Sequence, residues 1–310
     1  MLVLGLNGVI HLICQLRINM SFKQCLFILA QYIIPQQLLS RLIGYLADCQ
    51  WSYVKNKLIS CFIKHYKVDM SQAIYESYYE YKNFNDFFTR ALKEGSRPID
   101  IAENIIISPA DGVVSQIGTI QEGRVLQAKG HDYSIIDLLG GNTVRAKPFI
   151  NGHFATIYLS PSDYHRVHMP ITGTLREMIY VPGQLFSVNQ TTAENVSNLF
   201  ARNERVICIF DTVIGQMAVV LVGAMIVASI ETVWAGLVTP LKRTLKTTYY
   251  DASARKPIIL QKGAELGRFK LGSTVIIAFE PNKILWQDNI QATKPLHMGQ
   301  TIASIMINNQ

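Results

Sequence analysis

At 310 residues, with 49% hydrophobic and 16% charged side chains, the chain can fill one large domain, or one with a smaller appendage, and is too apolar for extended disorder. The formal charge of +7 favours an anionic partner, yet no Arg-rich arm, recognition-helix signature or zinc-finger spacing points to nucleic acid. A mean hydropathy of +0.18 is high for a purely soluble enzyme, but no uninterrupted apolar run reaches membrane-spanning length.

Residues 1–19 are apolar but carry Asn7, His11 and Gln15, with no basic leader and no small-residue cleavage site. They fit neither a signal peptide nor a membrane-spanning helix, and are read as an over-extended start with translation beginning at Met20. From 21 to about 93 the pattern is helical. Ser21 caps a helix carrying Phe22, Cys25, Leu26, Leu29 and Ile33 on one side, and Pro35 interrupts it. Leu38, Leu39, Leu42, Ile43 and Leu46 form a second stripe, and Val54, Leu58, Ile59, Phe62, Ile63 and Tyr66 a third. Any one stripe suits a helix packed on its own core. Charge turns the group toward an anionic membrane surface: Arg17, Lys23, Arg41, Lys55, Lys57, Lys64 and Lys67 face a single acid, Asp48. Asn83 then caps a short helix with Asp86 in its first turn, and the pair Phe87 and Phe88 is expected to bury against the next domain of the chain. Arg97-Pro98-Ile99 closes this helical region, 20–98.

After about 104 the pattern changes to short β-rich runs at 105–107, 112–114, 154–159, 205–210, 217–222, 229–234 and 273–279, separated by turns such as Gly140-Gly141-Asn142. The apolar stretch 218–230 reads as a buried strand. Helices succeeded by many short strands predict an α+β chain with a sandwich or barrel-like β core over 99–310. Cys14, Cys25, Cys49, Cys61 and Cys208 show no C-x-x-C spacing and read as small buried hydrophobes of a reducing compartment.

Three segments place reactive side chains in pointed contexts. Ser-Pro-Ala-Asp-Gly (108–112) sets Asp111 in a tight turn before a strand. Tyr-Leu-Ser-Pro-Ser-Asp-Tyr-His-Arg-Val-His-Met-Pro (158–170) carries His165 and His168, and Leu-Gly-Ser-Thr (271–274) presents Ser273 after Gly272. Together they supply an Asp–His–Ser triad, in which a carboxylate orients an imidazole that deprotonates a hydroxyl. Singly, they are also an Asp-Gly turn, a loop histidine and a serine in a turn. A metal pair at His165-x-x-His168 lacks further ligands. Histidines three apart face one site only across a turn-like step, because a strand points them oppositely.

With Phe-Lys-Leu-Gly-Ser-Thr-Val (269–275), Ser-Pro-Ala-Asp-Gly and Asp-Tyr-His-Arg-Val-His-Met-Pro, the chain closely resembles the bacterial phosphatidylserine decarboxylase proenzymes, from about residue 20 to its end. Phe-Phe-Thr-Arg-Ala-Leu-Lys (87–93), Leu-Gln-Ala-Lys-Gly-His-Asp-Tyr-Ser (126–134) and Val-Pro-Gly-Gln-Leu-Phe-Ser-Val-Asn (181–189) add to the likeness. The resemblance implies that Ser273 attacks the carbonyl of Gly272, yielding a large chain 1–272 and a small chain 273–310. Ser273 then becomes a pyruvoyl group, a covalent cofactor that condenses with the substrate amine and needs no metal. His168 would be the base for the cut, held by Asp111, and His165 the proton donor of the decarboxylation. His131 and Tyr133 would lie on a substrate wall. The resemblance further implies a core like a barrel-sandwich hybrid, a homodimer, and helices docked on the cytoplasmic face of the inner membrane, where phosphatidylserine is met. The rival readings are a serine hydrolase that stays one chain, a non-catalytic membrane-binding β module, and a pyruvoyl decarboxylase of free amino acids. The first lacks Gly-x-Ser-x-Gly, since residue 275 is Val.

Overall fold

The computed structural model describes residues 21–306 apart from 129, 226–228, 240–243, 252, 254 and 271–272. The segment 1–19 and the expected start at Met20 lie outside the described residues. Helix α1 (Phe22–Ile33) opens with a capping box: Ser21 Oγ accepts from the Gln24 N–H, and the Gln24 side chain accepts the Ser21 N–H. Pro35 ends it, and α2 (Gln36–Ala47) leaves at 89°. Helix α3 (Ser52–Tyr66) and the short α4 (Phe84–Phe88), capped by Asn83 as expected, enclose an aromatic cluster with Ile59, Tyr81, Phe84, Phe87 and Phe88. Lys55 departs from the basic surface expected of it. It is buried and donates to the carbonyls of Tyr79 and Tyr81 at 2.9 and 2.6 Å, since an ammonium taken out of water must be hydrogen-bonded.

Strands β1 (Ile105–Ile107) and β2 (Gly112–Thr119) lead into a hairpin, β3 (Arg124–Ala128) and β4 (His131–Ser134). Next come β5 (His153–Leu159), β6 (Arg166–His168), β7 (Gly173–Val181), β8 (Arg205–Thr212) and β9 (Gly215–Val222). Then come β10 (Ser229–Thr232), β11 (Gly236–Leu237), β12 (Lys246–Tyr249) and β13 (Ile259–Leu260). The last five are β14 (Glu265–Lys270), β15 (Ser273–Phe279), β16 (Ile284–Trp286), β17 (Pro295–Leu296) and β18 (Thr301–Ile305).

A nine-stranded sheet runs β12-β7-β8-β9-β15-β5-β2-β17, with β13 also on β7, and a four-stranded sheet runs β11-β10-β14-β6. β1-β18-β16 and β3-β4 form two smaller sheets. The large sheet is covered on both faces. Val275, Ile277 and Phe279 of β15 enter one core with Val167 and Phe269, while Ile276 and Ala278 enter another with Phe154 and Phe200. Double burial explains the unbroken apolar runs of β8, β9 and β15, whose residues have no solvent face to make polar.

The α+β expectation therefore holds, with open sheets and no closed barrel among the described residues. The stretch 218–230 is corrected from one buried strand to the end of β9 and the start of β10, in different sheets. Burial of the cysteines is corrected too: Cys208 is buried, but Cys25 and Cys49 are half-buried and Cys61 is exposed on α3. Gly112 starts β2 at φ +151°, and a Cβ there would sit 2.3 Å from the Tyr158 carbonyl oxygen of β5. Gly112→Ala, made in a Ser273→Ala chain to keep it intact, should lower the melting temperature by roughly 5 °C or more, which thermal unfolding by circular dichroism will measure.

Candidate active site

The two largest sheets exchange the chain three times at one end. β5 leaves the nine-stranded sheet at Leu159 and re-enters as β6 in the four-stranded one; β9 leaves at Val222 and becomes β10; β14 returns as β15. The crossings are neighbours because Ser273 pairs with Leu159 and Thr274 with Val222, while on the other side Lys270 pairs with Ser229. The Phe269 N–H also donates to the His165 carbonyl at 3.0 Å. Ser273 thus opens β15 beside the crossing that bears His165, whereas His168 stands at the far end of β6, opposite Glu265, and makes no hydrogen bond to Ser273 among the described residues. Gly272 lies outside the described residues.

Ser273 is fully buried and its Oγ has no hydrogen-bond partner among the described residues. An orphaned hydroxyl costs about 1–3 kcal/mol, and Ser273 shares that state with its neighbour Thr274 and with Thr156 across the sheet. His168, at the end of β6, has both ring nitrogens engaged: Nδ1 lies 2.8 Å from the Gly263 carbonyl and Nε2 3.0 Å from the Tyr164 hydroxyl. A carbonyl only accepts, so Nδ1 carries the proton and Nε2 presents its lone pair, the tautomer a general base needs. Burial pushes the His168 pKa down, while the Gly263 carbonyl, Glu265 and Asp111 oppose that shift. Gly263 sits at φ +79°, and a Cβ there would come within 2.5 Å of the Ile99 side chain, so the turn presenting this carbonyl requires glycine.

Asp111 is close enough to favour a charged His168, but its hydrogen bonds go elsewhere. Arg97 Nε donates to Oδ1 and Oδ2 at 2.8 and 3.0 Å, with Arg97 Nη2 also on Oδ2, and the Met298 N–H donates to Oδ1 at 2.8 Å. Asp111 therefore joins the helical region, β2 and the C-terminal turn, and the role of holding Nδ1 of His168 falls to Gly263.

His165 precedes β6 in a turn-like segment, so the strand alternation that would point it away from His168 does not apply. It is fully buried, stacked on Phe88, and neither ring nitrogen makes a hydrogen bond of ordinary geometry. Burial, reinforced by the charge of Arg90, pushes its pKa down to about 3, against a small opposing effect of the Ser160 and Pro161 backbone. His165 is neutral at physiological pH in this state.

His131 and Tyr133 lie on β4, away from this cluster. Tyr133 is completely buried with Phe200, and His131 Nδ1 meets Ser197 Oγ at 3.4 Å. Their hairpin instead contributes Gln127 and Ala128 to a cavity of about 220 Å³ that also meets Tyr158, the β5 partner of Thr274. Glu231 pairs with Lys270 at 2.5 Å and with Arg268 at 3.9 Å. Val167, Met169 and Leu185 are buried core residues. Sequence reasoning did not single out Tyr164, Gly263 or Arg90. Only Gly263 left a signal, as a glycine in a Lys-Gly-Ala turn, and that signal says nothing of which imidazole its carbonyl meets.

Comparison with known proteins decides the family. The family model described as phosphatidylserine decarboxylase matches residues 84–304, and a second, described as PSD, matches 26–67. The chain belongs to the phosphatidylserine decarboxylase family. Among its relatives, the phosphatidylserine decarboxylase proenzyme of Pseudomonas fluorescens (strain Pf0-1) is 62% identical over 281 residues, 91% of this chain and 98% of that one. The proenzymes of Ectopseudomonas mendocina (strain ymp) and Pseudomonas aeruginosa (strain LESB58) are each 62% identical, over 92% of this chain and 100% and 98% of their own lengths. The decarboxylase family thus accounts for the segments bearing Asp111, His165, His168 and Ser273 alike.

The depressed histidines give stability a pH dependence. The unfolded chain binds protons near pH 6.5 that folded His165 binds only near 3, so stability is present above 6.5 and lost as pH falls. Between pH 7 and 5.5 His165 should remove about 1 kcal/mol of stability, a loss that His165→Gln abolishes. Urea unfolding of the Ser273→Ala chain at both pH values checks this.

Proposed function

We propose that the chain cuts itself between Gly272 and Ser273 and then decarboxylates phosphatidylserine to phosphatidylethanolamine at a pyruvoyl group made from Ser273. The observation that carries this reading is the buried, unpartnered Oγ of Ser273 at the first position of β15, beside the crossing that bears His165. That position fits a pyruvoyl group: a small carbonyl in a dry site at a new chain start, held by the strands on either side.

The residues of the chain divide the work between cleavage and decarboxylation. His168, its proton fixed on Nδ1 by Gly263, takes the Ser273 hydroxyl proton at Nε2 once Tyr164 gives way. Asp111 stabilises the imidazolium through its charge, while Arg97 and Met298 keep that carboxylate in place. Oγ then bonds to the Gly272 carbonyl carbon as the amide C–N bond breaks, the leaving nitrogen taking the proton held by His168. Next, β-elimination removes the α proton of residue 273 and breaks its Cβ–Oγ bond, leaving Gly272 a carboxylate and residue 273 a dehydroalanine that tautomerises to an imine. Water replaces the amine at residue 273, releasing ammonia. When in place, the pyruvoyl carbonyl supplies an electron sink for the bond to carbon dioxide. His165 is held neutral first by burial and then by the charge of Arg90; an anionic substrate group beside it favours the protonated ring, which can then give its proton to the α carbon.

The two products stay together. β15 is paired along its length with β5 and also with β9, and β16 to β18 pair with strands of the chain or with one another. The helices supply the route to lipid. Phe22, Leu26, Ile33, Leu38, Leu42 and Tyr45 of the bent α1–α2 pair are exposed, with Lys23 and Arg41 among them, and no single described helix is long and apolar enough to cross a membrane. The reading is docking on an anionic leaflet, the cytoplasmic face of the inner membrane. A homodimer of processed protomers belongs to it, supported by the family resemblance alone.

Intact mass of the purified protein tests the cut. Wild type should give two chains that co-purify and separate only on denaturation, the smaller with a blocked, hydride-reducible amino terminus, and Ser273→Ala should give one. A single native wild-type chain would sink the proposal. His168→Ala should stop cleavage, whereas His165→Ala should cleave yet decarboxylate about 100-fold more slowly, as measured by release of labelled carbon dioxide.

A further inference from the structure

We propose that Phe88 and Arg90, on the helical side of the chain, are positioning residues for His165; this rests on the reading of His165 as the proton donor. The Phe88 ring lies nearly flat on the His165 imidazole, with centroids 4.0 Å apart and planes inclined by 22°. Two residues on, Arg90 Nη2 donates to the carbonyls of Ser162 and Asp163 at 3.0 and 3.4 Å, and its guanidinium carbon lies 5.6 Å from the Phe87 ring. From the opposite direction Arg166 Nε donates to the Thr89 carbonyl at 2.8 Å. Three consecutive residues, 88–90, thus hold the histidine loop before His165, at its ring and after it.

The arrangement does more than fill space. A histidine ring turns easily about its Cβ–Cγ bond unless something sets its plane. His165 makes no hydrogen bond of ordinary geometry among the described residues, and the flat contact with Phe88 is the ring contact that bears on its plane, beside weaker approaches of the Ser160 and Pro161 backbone. Arg90 fixes the loop backbone beneath the ring through Nη2 alone, which reaches both carbonyls, while its Nε and Nη1, on a side chain buried to 4% exposure, have no hydrogen-bond partner among the described residues. Its charge also faces His165 and works against a proton there until an anion arrives. The ring plane, loop height and resting charge of His165 are all set from outside the β core.

The test uses the full chain as wild type, Phe88→Leu, Arg90→Met, Arg90→Lys and His165→Ala. Self-cleavage is measured by intact mass, decarboxylation on phosphatidylserine in mixed micelles, and the His165 Hε1 signal by NMR of histidine-labelled protein. Phe88→Leu and Arg90→Met should cleave as wild type does. Their kcat should fall at least tenfold at a KM within twofold, and the Hε1 signal should lose its ring-current displacement in Phe88→Leu and titrate at higher pH. Arg90→Lys should recover part of the lost kcat. A kcat within twofold of wild type in both Phe88→Leu and Arg90→Met would overturn the proposal, as would losses of kcat that merely track lost cleavage and a lower Tm. Should Phe88→Leu fail to accumulate, the two Arg90 variants decide. Full turnover in His165→Ala would instead remove the donor reading beneath it, a result distinguishable from intact donor chemistry with indifferent Phe88 and Arg90.

Discussion

The pairing of Ser273 with Leu159 is the constraint on which the rest depends. β15 lies inside the largest sheet, with β9 and β5 on its two sides and a separate apolar core against each face. Side chains alternate along a strand, so a slip of one residue would carry Val275 and Ile277 out of one core and Ser273 to the opposite face. Two ladders and two cores resist that slip together. The position of the reactive hydroxyl is therefore set by the burial of an entire strand rather than by groups touching the hydroxyl itself.

The same packing explains how the site tolerates its polar atoms. Ser273 Oγ and both nitrogens of His165 are buried without a hydrogen bond of ordinary geometry, which the surrounding apolar burial must offset. The outer face of the small sheet helps by a different means. Arg166, Glu265, Arg268, Glu231 and Lys270 form a continuous set of ion pairs across β6, β14 and β10, while Val167, Phe269 and Ile230 between them point into the core. Such a network, only partly exposed, gains more from its shared geometry than isolated surface pairs do. It keeps β14 and β6 in register where the chain turns back into β15.

The helical region has two faces with different tasks. Outward, α1 and α2 present apolar side chains to whatever lies beyond the protein. Inward, the segment from Phe88 to Arg97 meets His165 by a ring stack and Asp111 by an ion pair. A region separable by periodicity is thus continuous with the site by contact. Lys55 illustrates the same division, since a residue of the basic set is consumed in holding the carbonyls of Tyr79 and Tyr81.

Periodicity and end signals alone determined the helices: the Ser21 and Asn83 caps, the break at Pro35 and the apolar stripes all arise from interactions within four residues. The buried strands at 105–107, 205–210, 217–222 and 273–279 were legible for a similar reason, because both of their faces are apolar. Short or half-polar strands such as β6, β13 and β17 were not, since they carry no period and lack the Ile-Ile-Ile run that marks 105–107. Asp111, His165, His168 and Ser273 were legible as residues through the motifs around them. Their partners were decided only by tertiary structure: Gly263 for His168, Arg97 for Asp111, Phe88 for His165. Those pairs lie 95, 14 and 77 positions apart, and the contacts exist only once β6 has paired with β14 and the helical region has docked on the β core, long-range events that no local pattern encodes.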